Sequence, residues 1–152
     1  MKKQITLLFT ILGLTLFVLS SCEKDDDPVV KTKTELITSG SWRFGAATFG
    51  GAPVPPGALQ PCQTDNIMTF AIALTGVLDE GLTKCNGTDP QTKTFTWNFA
   101  SSETILNIST VLFAGGSSQF TIVALNESQL VLSQFITPPG GTAQNAVVTF
   151  LH

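Results

Sequence analysis

From Leu36 onward, apolar residues fall at alternate positions along the chain. Helical spacing of apolar residues is limited to a single turn at Thr34–Ser39. A period of two gives a strand one apolar and one polar face, so the pattern commits the chain to β-structure. The cleanest run is Lys93–Phe99, where Phe95, Trp97 and Phe99 oppose Thr94, Thr96 and Asn98. Similar runs are Ser41–Phe49, Asn66–Leu74, Val77–Lys84, Thr104–Leu112, Gln119–Leu125, Gln129–Ile136 and Asn145–Leu151. In the second of these strands Met68, Phe70 and Ile72 form the apolar face, and in the last Val148 and Phe150 do. Eight sequential strands joined by mostly short links predict an all-β, eight-stranded up-and-down antiparallel barrel, since closure removes exposed edges. A sandwich of the same strands is the alternative.

The links alternate in length. Gly50–Asp65, Cys85–Thr92 and Thr137–Gln144 are the longer ones, with Phe113–Ser118 intermediate. Thr75–Gly76, Ala100–Glu103 and Asn126–Ser128 are short. In a meander, alternate links share an end, so the long loops gather at one mouth, where such barrels admit ligands or meet partners.

The first residues read as an address. Lys2 and Lys3 precede an uncharged, mostly apolar run, Ile5–Leu19, too short for the about 20 residues of a membrane-spanning helix. It ends in Leu19-Ser20-Ser21-Cys22, which resembles the bacterial lipobox. That resemblance implies cleavage after residue 21, lipid on Cys22, and membrane attachment through acyl chains rather than a helix. The acidic cluster Glu23–Asp27 resembles the surface-export signal of Bacteroidetes lipoproteins. An outer membrane lipoprotein exposed at the cell surface is therefore expected, with a periplasm-facing one as the alternative. The expected organisation is a signal peptide over 1–21, a lipidated cysteine and acidic tether over 22–35, and a barrel over 36–152.

With Cys22 lipidated, Cys62 and Cys85 remain in an oxidising compartment, and a structural disulfide between them is expected. If Thr75-Gly76 is the turn, the pair stands four residues out of register, an offset that a bend at Pro61 absorbs.

Gly40-Ser41-Trp42 opens the first strand with the G-x-W spacing of lipocalins. It is followed in order by Cys62–Asn66, Met68–Phe70, Cys85, Thr96-Trp97, Leu130–Leu132 and Val148–Phe150. This order resembles the lipocalin-like domains of Bacteroidetes lipoproteins over nearly all of Leu36–His152. The resemblance implies a lipocalin-like barrel at the envelope and little about its ligand. Unlike typical lipocalins, the chain shows no C-terminal helix and no arginine behind the first tryptophan, so closure of the narrow end falls to packing around Trp42.

Chemistry is sparse. The chain is 12% charged with net charge -3, without the clustered bases that nucleic acid requires. The single histidine, His152, is expected to fray, and it leaves no Ser–His–Asp set or metal-ligand cluster. Neither a catalytic residue, a metal nor a cofactor is expected. Two roles remain. One is binding of a small hydrophobic ligand inside the barrel, lined by Trp42, Phe44, Phe70, Phe95, Trp97, Phe99, Leu132 and Phe150. The other is a filled barrel that serves as a surface interaction module, with Val54–Leu59, Val111–Phe113 and Ile136–Gly140 touching a protein or glycan.

Overall fold

A computed structural model describes residues 30–112, 115–138 and 140–152. The expected signal peptide, Cys22 and the acidic cluster lie outside the described residues. The elements are α1 (Lys33–Ile37), β1 (Ser41–Phe49), β2 (Ala52–Pro53), α2 (Pro61–Thr64), β3 (Ile67–Ala71) and β4 (Thr75–Asp79). They continue with β5 (Thr92–Ala100), β6 (Ile105–Ile108), β7 (Gln119–Leu125), β8 (Gln129–Ile136) and β9 (Gln144–Leu151).

Alternating residues build one antiparallel sheet. Strands β3 to β9 pair in sequence order, and β1 pairs with β3 on one side and β9 on the other, closing the nine-stranded sheet into a ring. β2 pairs with β1 at the far end of that strand, as a two-residue arm outside the circuit. A single closed sheet sets aside the sandwich. Register shifts at Phe44/Ala46 and Ile122/Ala124 mark irregularities of the kind that bend strands round a closed sheet.

Two sequence expectations shift. The β3–β4 turn is Ile72–Leu74, not Thr75-Gly76, because Phe70 pairs with Gly76 and Ala71 with Thr75. Ile72 therefore leaves the apolar face and stands exposed in the turn. Glycine at position 76 suits a close approach rather than a turn. A Cβ there would lie 2.2 Å from the Phe95 ring and 2.6 Å from the Thr69 carbonyl oxygen. Gly76→Ala is expected to cost about 1–3 kcal/mol by forcing Phe95 off its seat, measured by urea unfolding.

The inward faces meet in one core containing Trp42, Met68, Phe70, Phe95, Trp97, Leu106, Ile108, Phe120, Leu130, Leu132, Val148 and Phe150. At the short-turn end the core is closed by α1. A capping box holds this helix: the Glu35 amide donates to Thr32 Oγ1 and the Thr32 amide to Glu35 Oε2. Ile37 is buried beside Trp42, whose Nε1 donates to the Ile37 carbonyl at 2.9 Å. His152 is not frayed. Its ring lies 3.8 Å from that of Trp42, and its Nδ1 is 3.1 Å from the Ser41 carbonyl oxygen. This imidazole packs on the Trp42 indole at the short-turn end.

Candidate binding site at the long-loop end

The eight residues nominated as a lining come together, but chiefly as packing. Phe70 meets Phe95 and Trp97 edge-on, with ring centroids 5.3 and 5.6 Å apart, and Trp97 meets Phe99 at 5.4 Å. Such T-shaped contacts are the favoured geometry for rings pressed against each other. Trp42, Leu132 and Phe150 are buried in the same core, while Phe44 and Phe99 are half-buried at its margins. Of the eight, Phe44 also borders two open hollows.

The mouth above this core is polar. Lys93 pairs across strands with Leu78 and shares a face with Phe95 and Trp97, so it stands on the inward side. Its Nζ is 3.0 Å from Glu80 Oε1 and 3.1 Å from Asp89 Oδ2. These two hydrogen bonds, that to Glu80 foremost, raise the Lys93 pKa above its ordinary value. Glu80 is buried, so the ammonium compensates a carboxylate that would otherwise be costly there. Across the ring, buried Gln134 accepts from the Ser117 amide and hydroxyl, pinning the β6–β7 loop.

The loop between β4 and β5 is tied to the wall by two aspartates. Asp65 Oδ2 accepts from the Leu82 amide, the Thr83 amide and Thr83 Oγ1. Asp79 Oδ1 accepts from the Gly81 amide and Gln91 Nε2. The Thr83 hydroxyl in the first case, and Gln91 in the second, hold these carboxyls below their ordinary pKa, so both stay ionised at neutral pH. The same loop is stapled by a disulfide between Cys62 in α2 and Cys85, with Cα atoms 5.1 Å apart. The β3–β4 register explains the pairing. Extended outward from Ile67 opposite Asp79, it brings the cysteines within one residue of opposition, not four.

A groove of about 550 Å³ opens beneath this loop, bordered by Arg43, Phe44, Thr64, Asp65, Ile67, Asp79, Gly81, Leu82 and Gln91. Its position follows from the pleat. Trp42, Met68 and Leu78 form one inward rung, and Arg43, Ile67 and Asp79 form the next, facing outward. The groove therefore lies on the outside of the wall, roofed by the clamped loop. Arg43 is the only arginine of the chain, and its guanidinium makes no ion pair or hydrogen bond among the described residues. Leu82 is 98% exposed at the rim. A smaller hollow of about 330 Å³ lies against β1 and is walled by Val54, Pro55, Pro56, Gly57 and Leu59, most of the loop nominated for contacts.

Sequence reasoning missed Arg43, Ile67, Asp79, Leu82 and Gln91. Of these, only Arg43 carried a signal, as a lone arginine placed directly after the first tryptophan. Of the other nominated loops, Val111 is exposed, whereas Phe113 and Pro139 lie outside the described residues. Among the described residues, no group of three or more His, Cys, Asp and Glu is placed to hold a metal.

No protein-family model matches the chain. No curated protein matches it either. Among solved structures it is similar to bovine odorant binding protein in complex with a selenium-containing odorant, at 16% identity and a TM-score of 0.44. That match covers 83% of this chain and 75% of the other. A second structure of bovine odorant binding protein, complexed with its natural ligand, matches at 15% identity and a TM-score of 0.45, covering 83% and 76%. Likeness at this level assigns neither a ligand nor a role to this chain.

Proposed function

We propose that this chain is a lipid-anchored envelope protein, exported by residues 1–21, acylated on Cys22 and displaying a lipocalin-like eight-stranded barrel at the cell surface. It acts by binding, not by catalysis. The lipobox-like tetrapeptide supports the anchor, and the closed ring with its G-x-W opening supports the lipocalin-like class. The ring interior serves as a packed support. The binding surface is the groove beneath the clamped β4–β5 loop.

One observation carries this reading: Arg43, whose guanidinium makes no ion pair or hydrogen bond among the described residues, borders a groove with Phe44, Ile67, Leu82 and Gln91, beside the carboxylates of Asp65 and Asp79. The loop engages Asp65 through Oδ2 and Asp79 through Oδ1, while Asp65 Oδ1 has no hydrogen-bond partner. Arg43 is thus free to meet an acceptor on a ligand whose apolar body lies on Phe44, Ile67 and Leu82. A small, largely apolar molecule carrying one anionic or carbonyl group fits that division.

Anilinonaphthalene sulfonate, an apolar double-ring probe bearing one sulfonate, tests the reading. Its fluorescence is expected to rise on binding the Lys31–His152 unit, and Arg43→Gln is expected to weaken that binding about tenfold, the loss of one charge-assisted contact. Equal affinity for both proteins would remove Arg43 from the site. A loss on Phe120→Leu with none on Arg43→Gln would return the ligand to the ring interior.

A further inference from the structure

The lipid anchor, if it holds the chain at Cys22, still leaves open which end of the ring meets the membrane. The described residues answer this at the point where the chain enters the ring. Lys31 Nζ pairs with Glu127 Oε1 at 2.6 Å, in the β7–β8 turn. Lys33 Nζ donates to the Glu103 carbonyl at 2.6 Å, in the β5–β6 turn. With the Trp42–Ile37 bond, these contacts fix the entry to the short-turn end, opposite the long loops. From Cys22 to Lys31 the chain spans nine residue steps, a reach of at most about 30 Å.

The same end carries an unusual turn. Ile72 is 77% exposed and Leu74 49% exposed in the β3–β4 connection. Leu74 sits at φ 60°, the left-handed region that favours glycine and asparagine. A branched aliphatic residue is a poor choice for such a position on folding grounds alone. No charged residue occurs between Asp65 and Asp79, so the turn is a wholly uncharged tip. Along the ring, two strands separate the β3–β4 turn from the β7–β8 turn by either route. The aliphatic tip and the turn that holds Lys31 are therefore diametrically opposed.

We propose that the short-turn end faces the lipid bilayer and that Ile72 and Leu74 make a second contact with it, across the ring from the point where the chain enters at Lys31. One tether alone would let the domain tumble. Two opposed attachments hold it upright, with the long-loop end and the Arg43 groove turned away from the membrane. This inference rests on the lipoprotein reading for its anchor and on the described residues for its direction.

The test supplies the anchor chemically. The chain from Cys22 onward, with its Cys62–Cys85 bond intact, is coupled through Cys22 to a maleimide lipid in phosphatidylcholine vesicles. Amide hydrogen exchange is then compared with the uncoupled chain. Exchange across Ile72–Leu74 is expected to slow about fivefold on vesicles, while Val54–Leu59 and Thr83–Asp89 keep their rates. The double variant Ile72→Ser, Leu74→Asn should abolish that slowing and leave ring amides unchanged, since asparagine tolerates the left-handed turn. Slowing confined to the long loops, or none at either end, would overturn the proposal. Acylation of Cys22 is read separately, as the mass of the protein purified from its host, and bears on the anchor alone.

Discussion

Replacing Trp42 with alanine is expected to destabilise the domain by about 3–5 kcal/mol, a large part of the stability of a domain this size. Three losses coincide at that position. A fully buried indole leaves the core. The Ile37 carbonyl loses the donor that ties α1 to β1. The His152 ring loses the surface on which it lies. Trp42→Phe keeps most of the volume but not the Nε1 donor, and is expected to cost less than half as much. Urea unfolding of both variants checks the pair. A cost for Trp42→Ala within about 1 kcal/mol of wild type would mean that the short-turn end is not closed in this way.

The second large effect is expected on removing the disulfide. Cys62 and Cys85 lie 23 residues apart, and closing a loop of that length stabilises by about 3 kcal/mol in the chain-entropy view. The double variant Cys62→Ser, Cys85→Ser should lose about that much while retaining the β3–β4 register, which depends on strand pairing and not on the bridge. The damage should concentrate in the loop. Without the bridge, α2 and the segment around Leu82 and Thr83 are joined to each other through the Asp65 hydrogen bonds. Chemical denaturation with and without a reducing agent measures the first effect, and hydrogen exchange across 80–91 the second. Unchanged stability on reduction would show that the aspartate clamp alone holds the loop.

Alternation made the ring legible in the sequence because a strand with one buried face must alternate, and six of the eight nominated lining residues lie in its core. Turn positions were less legible. Gly76 carries the usual signature of a turn, yet here it makes room for Phe95, while the real turn is built from Ile72, Ala73 and Leu74, which local propensity reads as strand. His152 was misjudged for a related reason. Its position in the sequence gave no hint of the Trp42 face that holds it. The groove was the least legible feature, since Arg43, Ile67 and Asp79 are far apart in sequence and meet only through register across three strands.

The proposed function places binding on the outer wall of a packed interior. Mapping amide and methyl chemical shifts of the Lys31–His152 unit during titration with anilinonaphthalene sulfonate examines that division most directly. The expected result is a cluster of shifts at Arg43, Ile67, Leu82 and Gln91, with Leu106, Ile108 and Leu132 unmoved. Shifts centred on those three interior residues would contradict it and show that the ring opens to hold its ligand inside.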